Sequence, residues 1–185
     1  PDGLANVSRN EQETEAVDES QTTETENKIT LDASGNAAAG DQSTENKTAE
    51  PSTLDELFGG ENLSVTYTGA EIAANYMEGG YYSLDAEQGK TFVIVGIDIT
   101  NSGADEIAID NFAKTPKFSV MVNGQEKAEE ENTILPSDFA LYQETVPAGV
   151  TENTILLFQV PDSVTSVDSL DLFVNISGTN YQITL

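Results

Sequence analysis

The run Thr91-Phe92-Val93-Ile94-Val95-Gly96-Ile97-Asp98-Ile99-Thr100 constrains this chain more than any other stretch. Its β-branched residues favour a pleated strand, in which successive side chains point to opposite faces. One face then carries Val93, Val95, Ile97 and Ile99, an unbroken apolar row. The other carries Phe92, Ile94, Gly96 and Asp98, apolar in its first half and open to solvent in its second. That pattern describes a central strand, and Asn101-Ser102-Gly103 ends it.

The same period of two recurs at short spacing on both sides. Leu63, Val65 and Tyr67 alternate with Ser64, Thr66 and Thr68, and Ile107-Ala108-Ile109 makes a short strand. Phe118-Ser119-Val120-Met121-Val122 runs into Asn123-Gly124, a hairpin signal because both residues tolerate positive φ. Its partner after Gln125 is polar and acidic, which predicts a wet edge. Ala140-Leu141-Tyr142 and Thr145-Val146 precede a turn at Pro147-Ala148-Gly149. Thr154 through Val160 is a dense apolar strand stopped by Pro161, which cannot donate to a ladder. Leu170–Val174 and Tyr181–Leu185 complete the set, and no stretch after residue 60 reads as an amphipathic helix. The predicted fold is all-β: an immunoglobulin-like β-sandwich of about 7–9 strands. The chain has no Cys and no Trp, so its core is expected to be aliphatic and Phe-based. Val93, Val95, Ile97, Leu156, Phe158, Leu172 and Val174 are placed between the two sheets.

Composition divides the chain. Residues 1–56 carry 14 acidic and 3 basic residues and no aromatic one, whereas all seven Phe and six Tyr lie from Phe58 onward. A segment so poor in apolar matter does not offset its conformational entropy, so 1–56 is expected to be a disordered acidic Thr/Ser/Glu-rich tether and 57–185 the sandwich. Within the tether, Ile29-Thr30-Leu31-Asp32 is the one strand-like patch. Ser52 or Thr53 is placed to cap a single helical turn over Leu54–Phe58, ended by Gly59-Gly60.

The charge excludes several functions. There are 33 Asp plus Glu against 7 Lys plus Arg, a formal net charge of −26, and no His. Ser-His-Asp and Cys-His catalysis, disulfides and an ordinary zinc or iron-sulfur site are thereby ruled out. Neutralising several phosphates needs more cations than this, so nucleic acid is not an expected partner. No cofactor is expected.

Candidate sites are few. Asn75-Tyr76-Met77-Glu78-Gly79-Gly80-Tyr81-Tyr82 gathers three Tyr around a Gly pair. Tyr76, Tyr81 and Tyr82 suit a stacking platform for a sugar or a peptide; the plainer alternative, which the pattern favours, is a hairpin packing its rings on the sandwich. Asp105, Glu106 and Asp110, or Asp162, Asp168 and Asp171, offer hard oxygen ligands, but in a chain this acidic such groupings arise by chance, and no metal is expected. Glu129-Glu130-Glu131 reads as a solvated loop. No carboxylate pair stands out for glycoside hydrolysis and no motif marks a Ser-Lys dyad, so the chain is not expected to be an enzyme.

Gly89-Lys90-Thr91 through Asn101-Ser102-Gly103, followed by Phe158-Gln159-Val160-Pro161, resembles a domain of unknown function in Gram-positive bacterial lipoproteins. The resemblance covers roughly residues 62–185. Members are immunoglobulin-like sandwiches similar to a secreted mycobacterial immunoprotective antigen, and they commonly follow a signal peptide, a lipidated Cys and a low-complexity tether. The resemblance implies an extracellular domain, secreted or held at the membrane by a lipid anchor upstream of Pro1, with the acidic segment as spacer. It brings no catalytic residues. The expected partner is then a protein or a glycan at the cell envelope: the domain mediates protein–protein interaction, or alternatively binds carbohydrate or another ligand through the Tyr-rich 75–82 loop.

Overall fold

The computed structural model describes residues 49–185. Its first elements are strand β1 (Glu50–Pro51), the short helix α1 (Leu54–Phe58) and the long strand β2 (Leu63–Ala73). A hairpin of β3 (Asn75–Glu78) and β4 (Tyr82–Asp85) leads into β5 (Lys90–Asn101). Then come β6 (Ile107–Ala108), one 3₁₀ turn (Phe112–Lys114), β7 (Lys117–Val122) and β8 (Ala128–Glu129). The last four strands are β9 (Thr145–Val146), β10 (Thr151–Pro161), β11 (Leu170–Ile176) and β12 (Thr179–Thr184).

These strands build an immunoglobulin-like β-sandwich. One sheet has three strands in the order β10-β5-β2 and the other has five, β1-β12-β11-β7-β8. Strand β5 is central, as its pattern requires. It pairs antiparallel with β10 from Lys90↔Pro161 to Thr100↔Thr151 and with β2 on its other edge. Val93, Val95, Ile97 and Ile99 face Phe118, Val120, Leu172 and Val174 of the second sheet across one continuous core, in which all eight are buried. Each such side chain contributes about 1.5–3 kcal/mol through removal from water. All seven core positions read from the sequence are buried. Strand β10 starts earlier than its apolar run, because Thr151, Glu152 and Asn153 continue the ladder along Thr100, Ile99 and Asp98.

The sandwich begins before the 56/57 boundary set by composition. Strand β1 lies parallel to β12, pairing Glu50 with Tyr181 and Pro51 with Gln182, and Ser52 N–H donates to the Gln182 carbonyl at 3.0 Å. Backbone pairing needs no apolar side chain, so composition does not mark it. Helix α1 follows with a capping box: the Thr53 hydroxyl accepts from Glu56 N–H, and the Glu56 carboxylate accepts from Thr53 N–H. Its two buried residues, Leu54 and Phe58, enter the core. The proposed strand at Ile29–Leu31 and the tether as far as residue 48 lie outside the described residues.

Two loops are fixed by Asn side chains. At the end of β5, buried Asn101 accepts from Gly103 N–H and donates to the carbonyls of Asp105 (2.8 Å) and Val146 (2.9 Å). After β7, Asn123 and Gly124 turn the chain with φ of 52° and 67°, and the Asn123 side chain accepts from the N–H groups of Asp168 and Ser169. The Asn of each turn motif therefore holds the fold.

Candidate functional site

The outer face of the three-stranded sheet positions the Tyr-rich segment. Phe92 and Ile94 of β5 and Leu157 of β10 form, with Leu135, a second buried apolar cluster. The β3–β4 hairpin covers it, with Tyr76, Leu84 and Ala86 packed against it. Register explains the choice of faces: Tyr76 pairs with Leu84, whereas Met77 pairs with Ser83 on the opposite side. The loop between the strands is short because Gly79 and Gly80 take φ of 59° and 74°, a region that costs glycine little. Tyr81 N–H closes it on the Glu78 carbonyl at 3.1 Å.

The hairpin is tied to the segment between β8 and β9. The Glu78 carboxylate accepts from the Ser137 hydroxyl at 2.7 Å and from Ser137 N–H at 3.2 Å, and the Tyr76 hydroxyl lies 3.4 Å from the same Ser137 oxygen. Three Tyr therefore do not converge into one platform. Tyr76 is half-buried against the sheet, while Tyr81 is 93% and Tyr82 44% exposed at the loop. Six large apolar side chains are exposed among the described residues, and four of them belong here: Met77, Tyr81, Tyr82, and Ile134 (88%) on the tied segment. Ser137 escaped the sequence reading because it meets the hairpin across more than fifty residues of chain.

The start of that same segment corrects the expectation that Glu129–Glu131 is a solvated loop. Glu130 bridges Phe158 at the outer edge of β10, and Glu131 N–H donates to the Leu157 carbonyl at 2.8 Å. Burial, reinforced by the nearby Asp138 charge, pushes the Glu130 carboxyl up to about 9, so it keeps its proton at neutral pH. Burial also raises Asp138, opposed by hydrogen bonds from the Thr133 hydroxyl and Ala140 N–H. The run of charge assigns all three Glu to solvent; the bridge between Glu130 and Phe158 turns one inward.

Three of the six acidic groups weighed as oxygen ligands, Asp110, Asp168 and Asp171, have local partners. Asp110 accepts from the Gln143 side chain and from Ala113 N–H, which lower its carboxyl below the usual range. Asp171 accepts from the Thr184 hydroxyl and Asp168 from the Ser166 hydroxyl. Among the described residues no three acidic side chains gather as a metal-ion set, and no helix is long and apolar enough to cross a membrane.

No protein-family model matches the chain, and no curated protein sequence is similar to it. Among solved structures it is similar to an uncharacterized β-sandwich protein from Clostridium difficile 630, at 18% identity and a TM-score of 0.43, over 68% of this chain and 87% of that one. It is also similar to the yjhA protein of Bacillus subtilis, at 15% identity and a TM-score of 0.38, over 67% of this chain and 92% of that one. A conserved hypothetical protein from Bacillus anthracis shares 10% identity at a TM-score of 0.38, over 66% of this chain and 88% of that one. The lipoprotein resemblance thus rests on the motifs at Gly89–Gly103 and Phe158–Pro161.

Proposed function

We propose that this is a non-catalytic domain of the Gram-positive cell envelope that docks a protein partner through the tip of its β3–β4 hairpin. The observation that carries the reading is Tyr81, 93% exposed, on a hairpin clamped to the sandwich by Glu78 and Ser137. A rigid, amphipathic ring presented on a stiff support loses little entropy on binding, which is why Tyr anchors many protein interfaces. Met77 and Ile134 supply further apolar area on the hairpin and on the segment it is tied to. The envelope location is supported by the two lipoprotein-like motifs, with a lipid anchor upstream of Pro1.

The test is binding of the labelled domain to a Gram-positive envelope fraction, compared between the wild type and Tyr81→Ala. A protein partner predicts binding that falls with Tyr81→Ala and disappears after protease treatment of the envelope. Binding that survives protease and disappears after glycan hydrolysis overturns the protein reading in favour of a sugar at the same hairpin.

A further inference from the structure

The opposite side of the molecule carries a second, chemically different surface. The five-stranded sheet turns its outer face to solvent, and cross-strand register sets what it presents. Phe173 stands between Ser119 and Gln182, and Asn175 between Lys117 and Asn180. Together with Lys127 and Glu129 they line an open groove of about 720 Å³. Residues 57–185 hold only 4 basic residues against 19 acidic ones, yet two of those four, Lys117 and Lys127, meet in this groove.

The side chains there form a recognition set. The Asn175 amide donates to the Asn180 side-chain oxygen at 2.6 Å, which orients the Asn180 NH₂ group and leaves it able to donate. The Gln182 amide and the Ser119 hydroxyl, which also line the groove, can each donate and accept. Glu129 adds an acceptor on β8, opposite Ser119. At the centre, Lys127 Nζ lies 3.2 Å from the centroid of the Phe173 ring and covers its outer face.

We propose that this groove binds an anionic carbohydrate: a sugar or polyol unit bearing a carboxylate or a phosphate. Amides, a hydroxyl and a carboxylate suit the mixed donors and acceptors of a polyhydroxylated ligand, and two lysines suit its charge. Lys127 makes the site selective. An anionic substituent offers its ammonium a stronger partner than the ring and uncovers Phe173 for the apolar face of the sugar. A neutral sugar must displace Lys127 with nothing in return. The negative charge of the domain as a whole opposes binding only weakly, because at physiological salt charges beyond about 8 Å are screened.

The experiment is a ¹H–¹⁵N NMR titration of the full chain with trigalacturonate, glycerol phosphate and neutral galactobiose. Trigalacturonate or glycerol phosphate should shift the resonances of Lys117, Phe173, Asn180 and Gln182, and which of the two does so names the source of the charge. Galactobiose should leave them in place. Lys117→Ala should weaken the charged probe by about fivefold, the upper range for an exposed ion pair. Lys127→Ala should weaken it similarly while strengthening galactobiose, because the ring is then bare. Tyr81→Ala, in the hairpin over the three-stranded sheet, should change nothing, so the outcome here is independent of the hairpin reading. The proposal is overturned if neither charged probe moves these resonances, if galactobiose binds the wild type as well as they do, or if both lysine variants leave the affinities unchanged.

Discussion

Phe58 meets Phe139 edge-on, with ring centroids 4.9 Å apart and planes inclined at 71°. Phe118 completes the cluster, 5.8 Å from Phe58 and 6.0 Å from Phe139. Lys114 Nζ lies 4.8 Å from the Phe58 ring centroid and donates to the Leu57 carbonyl at 3.1 Å, and burial lowers the pKa of that ammonium. Helix α1, a single turn, thus becomes part of the core rather than an appendage to it.

Phe58→Ala should therefore destabilise the domain by about 3–5 kcal/mol, as expected for a buried Phe. Thr53→Ala, which removes only the cap, should cost about 1 kcal/mol. Urea denaturation reads both. Deleting residues 1–48 should leave the midpoint unchanged, whereas deleting through Phe58 should lower it sharply. A Phe58→Ala cost below about 1 kcal/mol would place α1 outside the core.

Val95 is fully buried and sits opposite Leu156 on β10 and Ala70 on β2. Val95→Ala should cost about 1–3 kcal/mol, from lost burial plus the cavity left behind. A neutral result would mean that β5 is out by one residue, since such a slip exchanges its two faces.

Glu130 makes stability depend on pH with a definite sign. Its carboxyl is raised from 4.5 to about 9 in the folded state. Between those values the unfolded chain has lost the proton and the folded chain still binds it, so stability should fall as pH rises and level off above about 9. Glu130→Gln mimics the protonated form at every pH. It should raise stability at pH 7 by on the order of 1–3 kcal/mol and flatten the pH slope from this side chain. Melting curves from pH 5 to pH 9 check both statements, and an unchanged slope would show that Glu130 ionises in the fold.

Asn101→Ala removes two donated hydrogen bonds and one accepted one from a fully buried position. The Val146 carbonyl loses a buried donor, so a cost of about 2–3 kcal/mol is expected. Amide exchange should speed up at Gly103 and around β6 and β9 before the core strands respond. Uniform acceleration everywhere would mean that Asn101 acts on global stability alone.

Much of this architecture is decided within short stretches of sequence. The period of two in Phe92–Ile99 selects which face enters the core, because the pleat leaves no other choice. Asn123-Gly124 and Gly79-Gly80 set their turns through positive φ, and Thr53 with Glu56 sets the helix start. Aliphatic strands at regular spacing specify a sandwich before any pairing is known.

Tertiary structure decides whatever depends on partners distant in sequence. Parallel pairing of β1 with β12 joins Glu50 to Tyr181 by backbone groups alone, and no side-chain pattern encodes that. Glu130 reads as one of three solvated acids until its bridge to Phe158 buries it beside Asp138. Tyr76, Tyr81 and Tyr82 read as one cluster until register sends the first toward the sheet and leaves the other two at the loop. Lys117 and Lys127 look like ordinary surface cations until strands β7, β8, β11 and β12 align them with the Phe173 ring and the amides of Asn175, Asn180 and Gln182. Local sequence sets backbone conformation and the apolar face of each strand. Which polar groups meet is set by strand order and register, and those exist only once the chain has folded.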